Sequence, residues 1–331
     1  MITIAPHLLG AARHRPSMSI LVQTLIPVFG LMTLGFLAVR VSVVDAAGAR
    51  GLVLFAFNFS IPALLLTSMA RLELPEAVEW DFAVAFYAAS VLVYGLGAAL
   101  GRVSFGRPLR DQAIFGMGAA FSNLVLIGLP VVLTVFGPEA TLPMMVIIGL
   151  HSATFMPLTV LLIEADAGDG SGWAERVRRV TVGVVTNPII LGIVVGLALN
   201  LAGASPWPVV QAILDFLGAA AVPVALFAVG ASLAGLSPMG DAREALALTS
   251  VKLVLHPLLV WLIAVPIMDS RGLAVSVAVV LAAMPSAVNV YLFGARYRAA
   301  AGVAARTVLL STVGSLATLT AVLLLLGAGG D

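Results

Sequence analysis

The sequence has no cysteine and very little charge. Without cysteine, disulfides, thiolate metal sites and cysteine nucleophiles are all excluded. Only 10% of the 331 residues are charged, whereas charged residues make up about 25% of a soluble domain. The formal net charge is +1, so the chain lacks the basic face that a nucleic-acid partner requires. These shortages argue against a soluble fold and against nucleic-acid binding.

The motifs of the common catalytic sites are missing as well. The chain has no His-Glu-x-x-His zinc motif, no Gly-x-Ser-x-Gly nucleophile turn and no glycine-rich phosphate loop that ends in lysine. Its apolar runs contain no pair of aspartates that could share a reaction. We therefore expect no enzyme activity, no cofactor and no metal site.

Apolar residues dominate what is present. They make up 61% of the chain, and the mean hydropathy is +1.13. The solvent that fits so much apolar surface is the lipid bilayer, which a helix of roughly 20 apolar residues can cross. The apolar runs predict an all-α polytopic membrane protein with ten transmembrane spans, numbered here in chain order: 19–39, 49–69, 80–104, 112–136, 140–164, 179–202, 208–235, 243–268, 272–295 and 302–328.

Arginine is distributed unevenly between the two sets of loops. Twelve of the sixteen arginines fall in loops that follow odd-numbered spans, and four lie on the other side. Because arginine-rich loops stay in the cytoplasm, we expect a bacterial inner-membrane protein with both termini in the periplasm. Residues 1–18 form a short basic tail, and Met18 is an alternative start.

Several landmarks recur at a constant spacing. Three pairs are separated by 161 positions: Pro27 and Pro188, Pro62 and Pro223, and Thr159 and Thr320. The offset predicts a first five-span repeat at 19–164, a cytoplasmic linker at 165–178 and a second five-span repeat at 179–328. Because each repeat has an odd number of spans, the second is inverted. Inverted repeats are typical of secondary transporters, which bind substrate between the repeats.

Spans four and nine each combine a proline with an amide near mid-depth. Span four contains Asn123 and Pro130, and span nine contains Pro285, Ser286 and Asn289. Proline removes a backbone donor, and the polar groups that it frees must line a cavity because lipid cannot satisfy them. If both spans open there, two half-helix N-termini and two amides meet, which favours an anionic ligand.

Short motifs spread along the chain carry a family resemblance. They are Asn58 to Pro62, Asn123 to Pro130, Thr186 to Pro188, Val229 to Leu233, and Met284 to Asn289. In their order and spacing they resemble the auxin efflux carrier family, which includes plant hormone carriers and bacterial permeases for malonate and other organic acids. Asn58 stands where the plant members carry a lysine, which argues against auxin as the substrate.

The resemblance implies both a fold and a mechanism. It implies an inverted repeat of ten helices with broken, crossing spans four and nine. Spans one, two, six and seven would form a scaffold that dimerises, while the other spans move in an elevator-like step. Carried over residue by residue, the solute site comprises Asn123, Pro130, Pro285, Ser286 and Asn289.

Three ionisable side chains inside the spans are candidates for proton coupling: His151, Lys252 and His256. A neutral histidine that is hydrogen-bonded between helices, or a lysine that extends to the interface, is the structural alternative. The sequence thus predicts a secondary transporter that moves a small organic anion across the bilayer. A passive channel or a membrane sensor is the alternative.

Overall fold

The computed structural model describes residues 18–72, 79–167, 178, 181–182, 185–235 and 241–327. The predicted tail, apart from Met18, and most of the predicted linker lie outside the described residues. The described part is helical and contains no β-strand. Its helices are α1 (Met18–Arg40), α2 (Ala46–Ala70), α3 (Asp81–Phe105), α4 (Leu109–Ala120), α5 (Leu124–Phe136), α6 (Thr141–Ala167), α7 (Pro188–Leu201), α8 (Pro208–Ala234), α9 (Ala242–Ile267), α10 (Leu273–Ala282), α11 (Val288–Tyr297) and α12 (Ala301–Leu326).

Six of the described helical segments are long and apolar enough to cross a membrane: α2, α3, α6 with the short turn before it, α8, α9 and α12. The other apolar helices are shorter. Two of the ten predicted spans are shorter because they are divided, span four into α4 and α5 and span nine into α10 and α11. The helical architecture therefore agrees with a multi-pass membrane protein.

Three helices widen into a π-turn immediately before a proline. Each π-turn ends two residues before the proline, and the three turns are Ala56–Ser60, Leu124–Gly128 and Val251–Leu255. A proline ring clashes with the carbonyl of the fourth residue before it in a regular α-helix, and a π-turn moves that carbonyl away. This relief explains how Pro62, Pro130 and Pro257 lie inside helices without ending them.

Spans four and nine are both interrupted, but for different reasons. In span nine the break follows α10, where Pro285 disfavours a helical conformation of the residue before it. In span four the break lies at residues 121–123, where backbone groups bond to the second break and to His151 instead of continuing the helix. Pro130 is not at this break, because it lies inside α5 behind a π-turn. The prediction that Pro130 marks the crossover is thus corrected.

The two breaks pair with each other through their backbones. Ser122 and Ser286 form an isolated antiparallel bridge. The backbone N–H of Asn123 donates to Pro285 O at 2.8 Å, and that of Ala287 donates to Phe121 O at 3.1 Å. Each interrupted span thus provides the backbone partners that the other lacks, as lipid-embedded backbone requires.

The ends of the half-helices are satisfied by side chains. A helix leaves its last carbonyls without intrahelical partners. The Gly118 carbonyl near the end of α4 accepts a hydrogen bond from Ser286 Oγ at 2.7 Å. The Ala282 carbonyl at the end of α10 accepts one from Lys252 Nζ at 2.6 Å. Ser286 and Lys252 therefore stabilise the two interruptions.

The helices pack as two groups. In the first group α1 packs against α8, and α2 packs against α7 and α8, whereas α3 to α6 and α9 to α12 form the second group. Glycine allows the closest approaches inside the first group. A Cβ on Gly35 of α1 would overlap the Phe227 carbonyl oxygen of α8, and a Cβ on Gly196 of α7 would overlap the Leu66 carbonyl oxygen of α2.

A charged cluster fixes one end of the second group. Arg107, just before α4, donates hydrogen bonds of 2.7 to 3.0 Å to both carboxylate oxygens of Glu244 in the first turn of α9. These bonds raise the pKa of Arg107 above its ordinary value. Asp111 of α4 accepts a hydrogen bond from the backbone N–H of Ala300, just before α12, at 3.1 Å. The cluster therefore joins α4, α9 and α12.

Candidate functional site

A small cavity lies where the paired breaks meet the first helix group. Its volume is about 70 Å³, which is room for roughly five water molecules. Residues from both helix groups line it: Phe57 of α2; Phe121, Ser122, Asn123, Leu124 and Val125 at the first break; Ile148, Gly149, His151, Ser152 and Met156 of α6; Asn187, Ile189 and Ile190 at the start of α7; and Ala287 and Asn289 at the second break. The cavity is therefore bounded by both groups.

The structure brings together some of the predicted site residues but not all of them. Asn123, which is buried, and Asn289, which is half-buried, both line the cavity. Pro130, Pro285 and Ser286 do not line it, although all three are buried nearby. The Ser286 hydroxyl is engaged with a backbone carbonyl, so this side chain supports the crossover rather than the cavity wall.

His151 connects α6 to the first break. Its Nε2 accepts a hydrogen bond from the backbone N–H of Ser122 at 3.1 Å. A ring nitrogen that accepts carries no proton, so the neutral imidazole holds its proton on Nδ1. The ring stacks on Phe121, with centroids 4.6 Å apart, and contacts Phe86 and Phe155 with its edges. These contacts fix both the orientation and the tautomer of the histidine.

Two buried polar atoms of the lining have no hydrogen-bond partner among the described residues. They are Nδ1 of His151 and Oγ of Ser122, and each residue is 2% exposed. A buried donor or acceptor that is left unpaired costs about 1–3 kcal/mol. The cavity therefore presents two groups that a polar ligand could satisfy.

The lining contains no aspartate, glutamate, lysine or arginine, and His151 is its one titratable side chain. The half-helices α5 and α11 begin beside the cavity, after Asn123 and Ala287. Free N–H groups at helix N-termini favour negative charge. No group of three or more potential metal ligands occurs among the described residues. The arrangement can therefore bind a small anion through neutral donors, with a partial positive charge from two helices.

The other two proton-coupling candidates lie outside the lining. Lys252 and His256 are fully buried in α9, and they bond to each other rather than to the cavity. Two lining residues of the first helix group, Phe57 and Asn187, are absent from the site predicted by sequence analysis. Asn187 lies in the Thr186 to Pro188 motif and Phe57 directly precedes the Asn58 to Pro62 motif, but only the packing of α2 and α7 places them at the cavity.

Comparison with known proteins agrees with a transport role. Residues 20–323 match a family described as "Membrane transport protein". The chain is 29% identical over 307 residues to the "Putative malonate transporter" of Rhizobium meliloti, a match that covers 92% of this chain and 95% of that protein. An "Uncharacterized transporter" of Methanothermobacter thermautotrophicus is 26% identical over 80% of this chain and 85% of its own length.

A mammalian relative shares only part of its length with the chain. The "Lysosomal cholesterol signaling protein" of Mus musculus is 27% identical over 250 residues, which cover 70% of this chain and 28% of that protein. The homologous region is therefore one part of a longer polypeptide in that relative.

Proposed function

Because this chain belongs to the membrane transport protein family, we propose that it is a secondary transporter for a small organic anion. Its homology and its long apolar helices identify the chain as a multi-pass membrane protein of a transporter family. The proposed binding site is the cavity around Asn123, His151 and Asn289.

The observation that carries the proposal is the unpaired Nδ1–H of His151, which lies buried in the cavity wall. A carboxylate oxygen accepts hydrogen bonds and donates none, so an organic acid anion complements this donor. The Ser122 hydroxyl and the amides of Asn123 and Asn289 supply further donors. A cation would find no carboxylate in the lining, which favours an anion.

The size of the cavity and the name of a relative point to a short dicarboxylate. A volume of about 70 Å³ suits a compact solute better than an aromatic acid such as a plant hormone. The Rhizobium meliloti relative carries malonate in its name. We therefore choose malonate as the first probe of the site.

Corresponding contacts support the inverted repeat with units at 19–164 and 179–328. The offset of 161 positions relates Gly35 to Gly196 and Leu66 to Phe227. The contact of Gly35 with Phe227 in one direction therefore corresponds to the contact of Gly196 with Leu66 in the other. Two contacts that exchange under one offset are expected of repeats related by a twofold axis, as in many transporters.

The boundary between the two helix groups supports an elevator-like step. A second cavity of about 880 Å³ opens along this boundary between the end of α2, the first half of α8 and the start of α6, and its walls include Arg71, Glu139 and Asp215. Openings at two depths along one boundary are suitable for a site that is exposed alternately to the two sides. The first group, spans one, two, six and seven, would remain fixed and form the dimer.

The binding experiment uses the purified full-length protein in detergent. Thermal unfolding is measured with malonate, longer dicarboxylates, keto acids and aromatic acids. We expect malonate or a close relative to raise the unfolding temperature, since a ligand stabilises the state that binds it. If no acid in this panel raises it, the proposed anion site is wrong.

The transport experiment distinguishes a carrier from the alternatives. Proteoliposomes are loaded with unlabelled acid, and uptake of the labelled acid is followed. A carrier gives saturable uptake that the internal acid accelerates. Ohmic single-channel currents would establish a channel instead, and binding without any flux would establish a sensor.

A further inference from the structure

Lys252 is the only lysine in the chain, and it is fully buried within the second helix group. Its Nζ donates hydrogen bonds to the Ala282 carbonyl at 2.6 Å and to Nδ1 of His256 at 3.0 Å. No acidic side chain forms an ion pair with it among the described residues. An ionisable residue in such a place is costly and is usually functional.

A chain of hydrogen bonds fixes the tautomer of His256. Ser90 of α3 donates its hydroxyl hydrogen to the Phe86 carbonyl at 2.7 Å. Its oxygen is therefore free to accept from Nε2–H of His256 at 2.9 Å. With the proton on Nε2, Nδ1 is the acceptor that Lys252 requires. The imidazole cannot take a second proton on Nδ1 while Lys252 donates to it.

The same bonds accommodate both protonation states of the lysine. An ammonium group has three N–H donors, of which Lys252 uses two in the described structure. When the third proton leaves, the amine retains two N–H groups, so the bonds to Ala282 and His256 both persist. The site can thus gain or lose one proton without rearrangement of its partners.

The surroundings contain few other titratable groups. On α3, Tyr87 and Tyr94 are hydrogen-bonded to other partners, while Asp81 and Arg102 lie in the first and last turns of this helix. On the remaining packed helices, α10 carries no titratable group, and Asp111 of α4 and Arg306 of α12 lie near the starts of their helices.

The Lys252–His256 pair lies close to His151 of the cavity wall. The Phe86 ring lies between the two histidines, with its centroid 5.8 Å from that of His151 and 5.6 Å from that of His256. Lys252 also donates to the Ala282 carbonyl, at the end of α10 and just before the second break. An anion in the cavity would therefore provide the counter-charge that Lys252 lacks.

We propose that Lys252 and His256 form the binding site of one proton that accompanies the transported anion. The proposal rests on the proposed function and adds the coupling ion to it. Arrival of the anion converts the Lys252 amine to an ammonium by uptake of one proton, and departure of the anion releases this proton. A monovalent anion and its proton then cross the membrane as a neutral pair, whereas malonate, which has two carboxylates, crosses with one of its two charges compensated.

The single lysine makes a direct test feasible. Protein labelled with ¹⁵N at the lysine side chain gives one lysine resonance, whose shift distinguishes amine from ammonium. It is recorded across about pH 5 to 9, a range that contains the ordinary pKa of histidine and lies below that of lysine, with and without malonate. Lys252→Met assigns the signal, and Ser90→Ala, His256→Gln and His151→Phe test the neighbours.

We expect the resonance to change between its two forms in one step and malonate to extend the range of the ammonium form. His256→Gln and Ser90→Ala should shift this step, which a purely structural lysine would not show. A resonance that stays in one form throughout, with and without malonate, overturns the proton site. If malonate fails to bind but the lysine titrates, the proton site stands and the proposed substrate falls.

Discussion

Ser122 and Ser286 face each other in the antiparallel bridge, and each donates its backbone N–H to the span that follows its own. Ser122 donates to Nε2 of His151 in α6, and Ser286 donates to Oγ of Ser311 in α12, both at 3.1 Å. The two halves thus use the same device with different side chains. His151 has a second ring nitrogen in the cavity wall, whereas Ser311 has none, so the two sides of the crossover differ.

Replacement of His151 separates its two roles. His151→Phe removes the unpaired donor and leaves the Ser122 N–H without an acceptor, so we expect a loss of about 1–3 kcal/mol in stability and loss of malonate binding. His151→Gln restores an acceptor for Ser122 and should recover stability but not full affinity. Unfolding temperatures with and without malonate measure both effects. Unchanged affinity in His151→Phe would remove this residue from the site.

The cavity amides should contribute directly to affinity. Asn123→Ala and Asn289→Ala each remove a donor toward a charged ligand, which is worth about 1.5–3 kcal/mol and thus roughly 10- to 100-fold in Kd. Asn58→Ala is the matched control, because Asn58 is exposed and bonds to Leu54 O. Equilibrium binding of labelled malonate measures the change. Equal affinities in all three variants would contradict the site.

The repeat predicts equal sensitivity at two glycines. Gly35→Ala and Gly196→Ala each place a methyl group against a backbone carbonyl, so we expect each to lower stability by about 1–3 kcal/mol. Gly30→Ala, in the same helix as Gly35, meets no atom within 4 Å and should have little effect. Thermal unfolding in detergent measures the three changes. A large difference between Gly35→Ala and Gly196→Ala would count against corresponding positions.

Two ion pairs should differ in their contribution to stability. The Glu244 side chain is 5% exposed and holds Arg107, so Glu244→Gln should destabilise by about 1–3 kcal/mol because Arg107 loses its charged partner. Asp215 is 46% exposed and pairs with Arg71, so Asp215→Asn should cost less than about 1 kcal/mol. Chemical denaturation compares them. The opposite order would show that the cluster at Arg107 does not stabilise the second helix group.

The absence of cysteine permits a clean test of orientation. Val43 lies in the loop after α1 and Ala204 in the loop after α7, and both are exposed. Because the arginine distribution predicts that the first loop is cytoplasmic, Val43→Cys should react with an impermeant thiol reagent only after the cells are opened. Ala204→Cys should react in intact cells. Reversed labelling would invert the predicted topology.

Sequence analysis predicted the family and the helical class, and both are confirmed. Apolar run length and motif order carry this information directly. The position of the first break was harder to predict, because Pro130 is the conspicuous residue of span four. The π-turn at Leu124–Gly128 accommodates this proline, whereas Ser122 and Asn123 form the break and pair with the backbone of residues 285–287.

The site could be predicted only in part for a similar reason. Asn123, Asn289 and His151 were predicted, and the structure places all three in one cavity. Their roles remain predictions. The bond that fixes the His151 tautomer joins residues in different spans. The chain from Lys252 through His256 to Ser90 also joins different helices. Such contacts depend on helix packing, which a pattern in one segment does not specify.

The backbone pairing at the crossover also constrains how the protein is made. Residues 121–123 leave the ribosome well before residues 285–287, which hold their hydrogen-bond partners. Until the later segment is inserted, the earlier one has exposed N–H and C=O groups that hydrocarbon cannot satisfy. We therefore expect span four to adopt its interrupted conformation only after residues 285–287 are in place. A chain truncated before residue 285 should fail to insert this span stably.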